Sequence, residues 1–318
     1  MSPPGSMTGR PRADDRGAVS HIITTHCLSK TYGDRTVVSD LDLRVPEGCV
    51  YGFLGPNGSG KSTTMKMLLS LVRPSTGEVR VMGRRMQRST RRDLLRDIGS
   101  LIEAPPAYTH LTGGENMRLV QRLLGLSDGQ VLRAVRTVRL QDHLDRRVAT
   151  YSLGMRQRLG IALALAREPR ILILDEPTNG LDPAGIEEMR GLLTHLAGRG
   201  ITVVVSSHLL GEIDRTATVL GILGQGRMLF QGTREELLAR SVPDVLVDTP
   251  DPDRTAALAG GWGAVRDGPG VRVPGLDHDT TAELVARLVH EGVAVYGVRR
   301  EEQSLEDVFM DLTGGGGL

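Results

Sequence analysis

The sequence predicts an α/β fold organised around a phosphate-binding loop, and three observations carry that prediction. A glycine-rich turn joins an apolar run to a helical pattern; two further apolar runs are uninterrupted and end in polar residues; helical periodicity fills the stretches between them. The turn lies in VYGFLGPNGSGKST, Val50 to Thr63. Gly55 and Gly60 bracket four residues and Lys61-Ser62 follow, which is the spacing of a P-loop. Across Gly55, Pro56, Asn57, Gly58, Ser59 and Gly60, small residues let consecutive backbone N–H groups turn around an anion. The helix opened by Lys61, Ser62 and Thr63 adds its positive dipole end. Lys61 can reach the β- and γ-phosphates of a nucleotide, and the Ser62 hydroxyl suits Mg²⁺.

The composition allows one large domain and a smaller one in 318 residues. With 39 Lys and Arg against 38 Asp and Glu, the formal charge is +1. No global field draws the chain to nucleic acid or anionic lipid, so nucleic acid is not an expected partner and membrane attachment requires a partner protein. No window approaches the roughly 18 consecutive apolar residues of a membrane-spanning helix, and the first 20 residues lack the apolar core of a secretion signal. A cytosolic location is expected. Cys27 and Cys49 are the two cysteines. Without metal-ligand company in the sequence, both read as buried small hydrophobes.

Taken in order, residues 1–20 read as a disordered leader, rich in Pro, Gly, Ser and charge. Ile22 to Leu28, Thr36 to Val45 and Cys49 to Leu54 read as strands, with Tyr32 in the bend between the first two. An amphipathic helix follows Ser62 to about Val72, then a strand from Val79 to Met82, a helical segment from Arg91 to Asp97 and a strand from Ile98 to Ile102. Two prolines in EAPPAYTHLTGGENM forbid regular structure there. Helical spacing returns from Glu115 to Leu126 and from Asp128 to Leu144. Ser152 is a credible N-cap for the helix that continues through IALALARE. ILILDEP is a buried parallel strand closed by Asp175 and Glu176; Ile201 to Val205 is a second, closed by Ser206, Ser207 and His208. Both should open on the same rim as the P-loop. There Asp175 can hold Mg²⁺, Glu176 can orient or deprotonate an attacking water, and His208 can hydrogen-bond the γ-phosphate.

Past Pro243 the pattern becomes a small α+β appendage. Its expected elements are Val245 to Val247, a helix about Arg254 to Leu258, runs at Gly263 to Val265 and Gly270 to Val273, a helix from Thr280 with Glu283 completing a capping box, and Val293 to Val298. Ser304 caps a last helix with Leu305, Val308, Phe309 and Leu312 on one face. Packing is the expected role of this region.

With GPNGSGKST, YSLGM, ILILDE, NGLDP and His208 in this order, residues 21 to about 240 resemble the nucleotide-binding subunit of ATP-binding cassette transporters. The resemblance implies a RecA-like P-loop NTPase core with an antiparallel β subdomain, a helical insertion at about 104–165 and a C-terminal accessory domain over 241–318. It implies ATP and Mg²⁺ as ligands and an adenine stacked on Tyr32. Ser152 and Gly154 would face the γ-phosphate held by a second cassette, with Asp182 at the junction, so the active unit is expected to be a dimer, most simply a homodimer. A separate multi-spanning permease is the implied membrane partner, received near Glu103 to Glu115, with the chain peripheral at the cytoplasmic face.

Two residues depart from the family pattern in the signature: Leu153 replaces a glycine and Met155 a glutamine. Glu103 stands where most cassettes have a glutamine that touches Mg²⁺; a carboxylate binds the metal more strongly but loses the amide donor. LIEAPPAY, LTGGENM and the tail SLEDVFMDLTG are similar to cassettes that export antibiotics, antimicrobial peptides and drugs. The expected function is the ATPase of such an exporter. An importer ATPase is the alternative on the same core. A soluble cassette acting on ribosomes or DNA is another, disfavoured by the single cassette, the lack of long coiled coils and the near-neutral charge.

Overall fold

Long β-propensity runs at the start of the chain build an antiparallel layer. In the computed structural model, which describes residues 20–103, 107–213, 215–239, 243–301 and 304–314, His21–Tyr32 pairs with Arg35–Leu41, Arg44–Pro46 and Thr76–Val81, and the last of these with Arg84–Arg85. The expected leader lies almost wholly outside the described residues, as do Ala104, Pro105 and Pro106 of the proline-rich stretch.

The uninterrupted apolar runs form the second sheet, in the order Arg227–Gly232, Val219–Gly224, Val50–Leu54, Thr202–Ser207, Ile171–Leu174, Ile98–Leu101. All neighbours are parallel except the first pair, a hairpin through Gly224-Gln225-Gly226. Each residue of Val50–Leu54, Ile171–Leu174 and Thr202–Ser207 is buried, as strands covered on both faces require. One face packs on the antiparallel layer through Tyr51, Phe53, Ile171, Ile173 and Val204; the other packs on helices through Leu54, Leu172, Leu174 and Val205. The alternation within each strand decides which core each side chain joins.

The helical block consists of Gly113–Leu124, Asp128–Thr137 and Leu153–Leu165. Capping boxes at Thr112/Glu115 and Ser127/Gln130 fix the first two starts, and Ser152 caps the third. The second helix stops at Thr137 instead of running to Leu144: Arg139 takes a left-handed φ of 56° and a 3₁₀ turn follows at Gln141–His143. The P-loop helix, Lys61–Leu68, also ends short of Val72, where Ser70 turns left-handed.

Asp244–Asp248, Pro252–Leu258, Val265–Asp267, Gly270–Val273, His278–His290 and Gly297–Glu301 follow as β-α-β-β-α-β, an antiparallel sheet with Asp244–Asp248 between Gly270–Val273 and Gly297–Glu301. Both helices cover one face around a separate core of Val245, Val247, Val271, Val273, Leu284 and Leu288. Two sequence expectations shift here. The long helix begins at His278, capped by Asp277 accepting from the Thr280 N–H at 2.8 Å, so Thr280 is not its cap; an aspartate three residues upstream competes for the same amide and wins. The last strand is Gly297–Glu301, because Val293 turns into the core beside Leu288 and the residues up to Tyr296 form the connection.

The final helix, Leu305–Thr313, is capped by Ser304 as expected but does not join the accessory core. Leu305, Val308 and Phe309 are buried in the helix-side core of the large sheet. Of the cysteines, Cys49 is half-buried, and burial pushes its thiol up to about 11. Cys27 is exposed, contrary to expectation: a bulge in the first strand gives it a φ of 45° and turns it outward beside His26 and Asp42. Among the described residues no helix is long and apolar enough to cross a membrane.

Candidate active site

The chemistry gathers where three parallel strands end. Leu54 pairs with Ser207, and Leu174 with Val205, so the P-loop, Asp175-Glu176 and Ser206 to His208 leave the sheet side by side. Close approach demands the glycines. A Cβ on Gly55 would lie 2.4 Å from the Leu223 carbonyl oxygen and 2.6 Å from Ser59 Oγ, and Gly60, at φ 102°, approaches the Val37 carbonyl. The hairpin turn braces the loop, its Gly226 N–H donating to the Ser59 carbonyl at 3.1 Å.

Lys61 is buried at the start of the helix, and its Nζ donates to the Gly55 and Pro56 carbonyls at 2.6 and 3.2 Å. Burial lowers its pKa; the carboxylates of Glu176 and Asp175 oppose that shift. Three features of the loop fit a bound phosphate: no side chain caps the helix start, Ser59 Oγ is buried with no hydrogen-bond partner, and a lysine lies alongside. Pro56, Asn57 and Gly58 form the outer turn, and Ser62 and Thr63 are half-buried on the first helical turn.

Asp175 and Glu176 are held by one hydroxyl. Ser206 Oγ donates to Asp175 Oδ1 at 2.6 Å and accepts the Glu176 N–H at 2.9 Å. Glu176 adopts a left-handed φ of 46°, a strained conformation that aims its carboxylate across the rim. One oxygen lies 4.0 Å from Lys61 Nζ; the other lies 3.2 Å from His208 Nδ1, out of line for a hydrogen bond, and accepts from Asn179 Nδ2 at 3.4 Å. Lys61, Glu176 and His208 thus meet at one rim. Ser206 and Asn179 were not singled out by sequence reasoning. The signal for Ser206 was a polar residue closing an apolar parallel strand; Asn179 carried none beyond its place in NGLDP.

Glu103 is exposed, at a left-handed φ of 65°, and pairs with Lys66 Nζ at 2.6 Å. That pair holds the Glu103 carboxyl below its ordinary range and raises Lys66. Tyr32 is half-exposed at the end of its strand, with Lys30 Nζ 4.7 Å from the ring centroid. The structure therefore brings Glu103 to Lys66 and not into a contact with Asp175 or Ser62.

The signature lies elsewhere on the surface. Ser152 Oγ accepts the Met155 N–H at 3.2 Å, and Asp182 Oδ1 accepts the Gly185 N–H at 3.1 Å to cap Pro183–Gly198. Ser152, Leu153, Gly154, Gly180, Leu181 and Asp182 line one groove of about 430 Å³. Leu153, the residue that departs from the signature pattern, fills space that Gly180 leaves: a Cβ there would sit 3.0 Å from Leu153 Cδ2. Leu153 thus joins the YSLGM and NGLDP stretches within the chain.

Residues 38–179 match the family model for the ABC transporter domain. The chain is 38% identical over 307 residues to the bacitracin transport ATP-binding protein BcrA of Enterococcus faecalis, covering 94% of this chain and 99% of that protein. It belongs to the ABC transporter ATP-binding family. This ABC subunit is also 35% identical over 305 residues to the daunorubicin resistance ATP-binding protein DrrA3 of Streptomyces coeruleorubidus, covering 92% and 96%. The solved structure of cbiO1 from Clostridium perfringens, part of the ABC transporter complex cbiONQ, superposes with a TM-score of 0.64 at 26% identity, over 69% of this chain and 91% of that one. ABC subunit and P-loop geometry agree: the protein is an ATP-binding, ATP-hydrolysing subunit of a transport system.

Proposed function

We propose that this ABC subunit hydrolyses ATP at the Lys61, Glu176, His208 rim and couples that hydrolysis to export of an antimicrobial compound by a separate membrane permease. The convergence of Glu176 on Lys61 and His208 carries the catalytic part. Lys61 and the P-loop amides bind and neutralise the β- and γ-phosphates; Glu176 orients and deprotonates the attacking water; His208 donates to the γ-phosphate. Ser62 and Asp175 are suited to hold Mg²⁺, which when bound supplies positive charge to the phosphate oxygens. Ser206 fixes Asp175 and Glu176 against each other. Tyr32 offers an exposed ring for adenine. Glu103, paired with Lys66, would be available to a metal only on leaving that salt bridge, which makes it a tuning residue in this reading.

Ser152 and Gly154 lie open at a helix start, the geometry of an anion contact, and Asp182 shares their groove. A homodimer closing on two ATP molecules gives these groups their partner, and its opening and closing is the motion delivered to the permease at the cytoplasmic membrane face. Residues 21–240 form the cassette in this reading, with the helical subdomain at about 104–165, and 241–318 the accessory region. The antimicrobial substrate class is supported by the whole-chain likeness to proteins named for bacitracin transport and daunorubicin resistance. The test is purification of tagged Glu176→Gln protein from its native membranes in mild detergent with Mg-ATP. A co-purifying multi-spanning protein is expected; ribosomal protein or DNA in its place overturns the exporter reading.

A further inference from the structure

We propose that the last helix, Leu305–Thr313, positions His208, and that the accessory region sets the rate of hydrolysis through it. This rests on the role given to His208 above. His208 leads at once into the short helix Leu210–Ile213, and Ser207 Oγ leaves little slack between them, accepting the Leu209 N–H and donating to its carbonyl, both at 3.0 Å. That short helix is held from three sides. Toward the P-loop strand, a Cβ on Gly52 would lie 2.8 Å from Ile213 Cγ2. Arg190, on the helix capped by Asp182, donates through Nη2 to the Gly211 carbonyl.

The last helix closes the third side. It packs on Leu210–Ile213, Arg234–Leu238 and Val219–Gly224, and its Leu305, Val308 and Phe309 are buried in the same apolar cluster as Leu210 and Ile213. Glu306 Oε1 comes within 3.0 Å of the point a Cβ on Gly211 would take. The residues before this helix form the separate accessory core, of which it is no part. The chain therefore leaves the ATPase, builds a second core, and returns with a helix placed behind the segment that follows His208. Displacement of the accessory region bears on the segment that carries His208, while Lys61 is held within the loop by the Gly55 and Pro56 carbonyls. The effect falls on turnover and spares nucleotide affinity.

The test uses the full chain as wild type, His208→Ala, Phe309→Ala and Phe309→Leu. It reads steady-state ATPase kinetics, the Kd of a fluorescent ATP analogue, and amide hydrogen exchange over residues 209–213. Phe309→Ala should lower kcat roughly tenfold, speed exchange in that segment and leave Kd unchanged, with Phe309→Leu restoring most of the rate. Unchanged kcat in a folded Phe309→Ala protein overturns the proposal, and so does an equal loss of rate and nucleotide affinity, the mark of general loosening. Should Phe309→Ala not fold, Glu306→Ala replaces it, and an unchanged rate and exchange overturn the proposal equally. A wild type without hydrolysis, or a His208→Ala protein at wild-type rate, fails the reading of the site itself; an impaired His208→Ala with an unimpaired Phe309→Ala fails only the coupling.

Discussion

The large sheet and the accessory sheet use β-structure in opposite ways. In the large sheet, Ile171–Leu174 and Thr202–Ser207 are buried throughout, and polar residues gather only where the strands end. In the accessory sheet, Val245 and Val247 face the helices while the other side carries Arg272, ion-paired to Asp244, Asp267 and Glu301. The three carboxylates raise the Arg272 pKa, so it stays charged at any ordinary pH. The difference teaches where catalysis can sit. Strands buried on both faces force every functional group to their ends, where low dielectric strengthens each charge. A sheet with one polar face spreads its charges over a surface that water screens.

Substitutions at the two sheets should separate these regimes. Glu176→Gln, at the end of a fully buried strand, should lower hydrolysis about a thousandfold while ATP binding persists; wild-type turnover would remove Glu176 from its role. Ser206→Ala should lower hydrolysis roughly tenfold without changing nucleotide affinity, because it frees Asp175 and Glu176 from their shared hydroxyl. Equal rates in Ser206→Ala and wild type would show that the backbone alone holds the pair.

Packing gives the next comparison. Leu172→Ala and Leu284→Ala each open a cavity in a core with no exposed side-chain surface, at a cost of about 2–5 kcal/mol. Because the two cores share no buried residue, calorimetry should find Leu172→Ala lowering the ATPase transition and Leu284→Ala lowering an accessory one. A single transition moved equally by both would merge the regions into one cooperative unit. The smallest effect is expected at Arg272→Ala. Surface ion pairs contribute about 0–1 kcal/mol, less at high salt, so a denaturant midpoint that shifts by more would reveal a structural role for the network.

Much of the site was legible because its residues are fixed by the chain's own local geometry. Gly55 to Ser62 are contiguous, and a loop that must turn amides inward can be read from residue spacing alone. Asp175, Glu176 and His208 were legible for a different reason: uninterrupted apolar runs mark strands buried on both faces, and polar residues at their ends must meet at one rim. The caps at Ser152 and Ser304 were set by near-neighbour hydrogen bonds. Such interactions span about one helical turn and need no knowledge of the rest of the molecule.

What escaped the sequence depends on contacts between distant residues. Ser206 bridges to Asp175 across 31 positions, and Lys66 captures Glu103 across 37. Cys27 is turned outward by a bulge in the pairing of its strand with Thr76–Val81, about fifty positions along the chain. The last helix shows the division most plainly. Its cap and its apolar face at Leu305, Val308 and Phe309 were written in the sequence, since periodicity determines that a helix has a face to bury. Which core receives that face was decided by tertiary structure, because burial is non-directional and rewards any apolar surface the folded chain brings within reach.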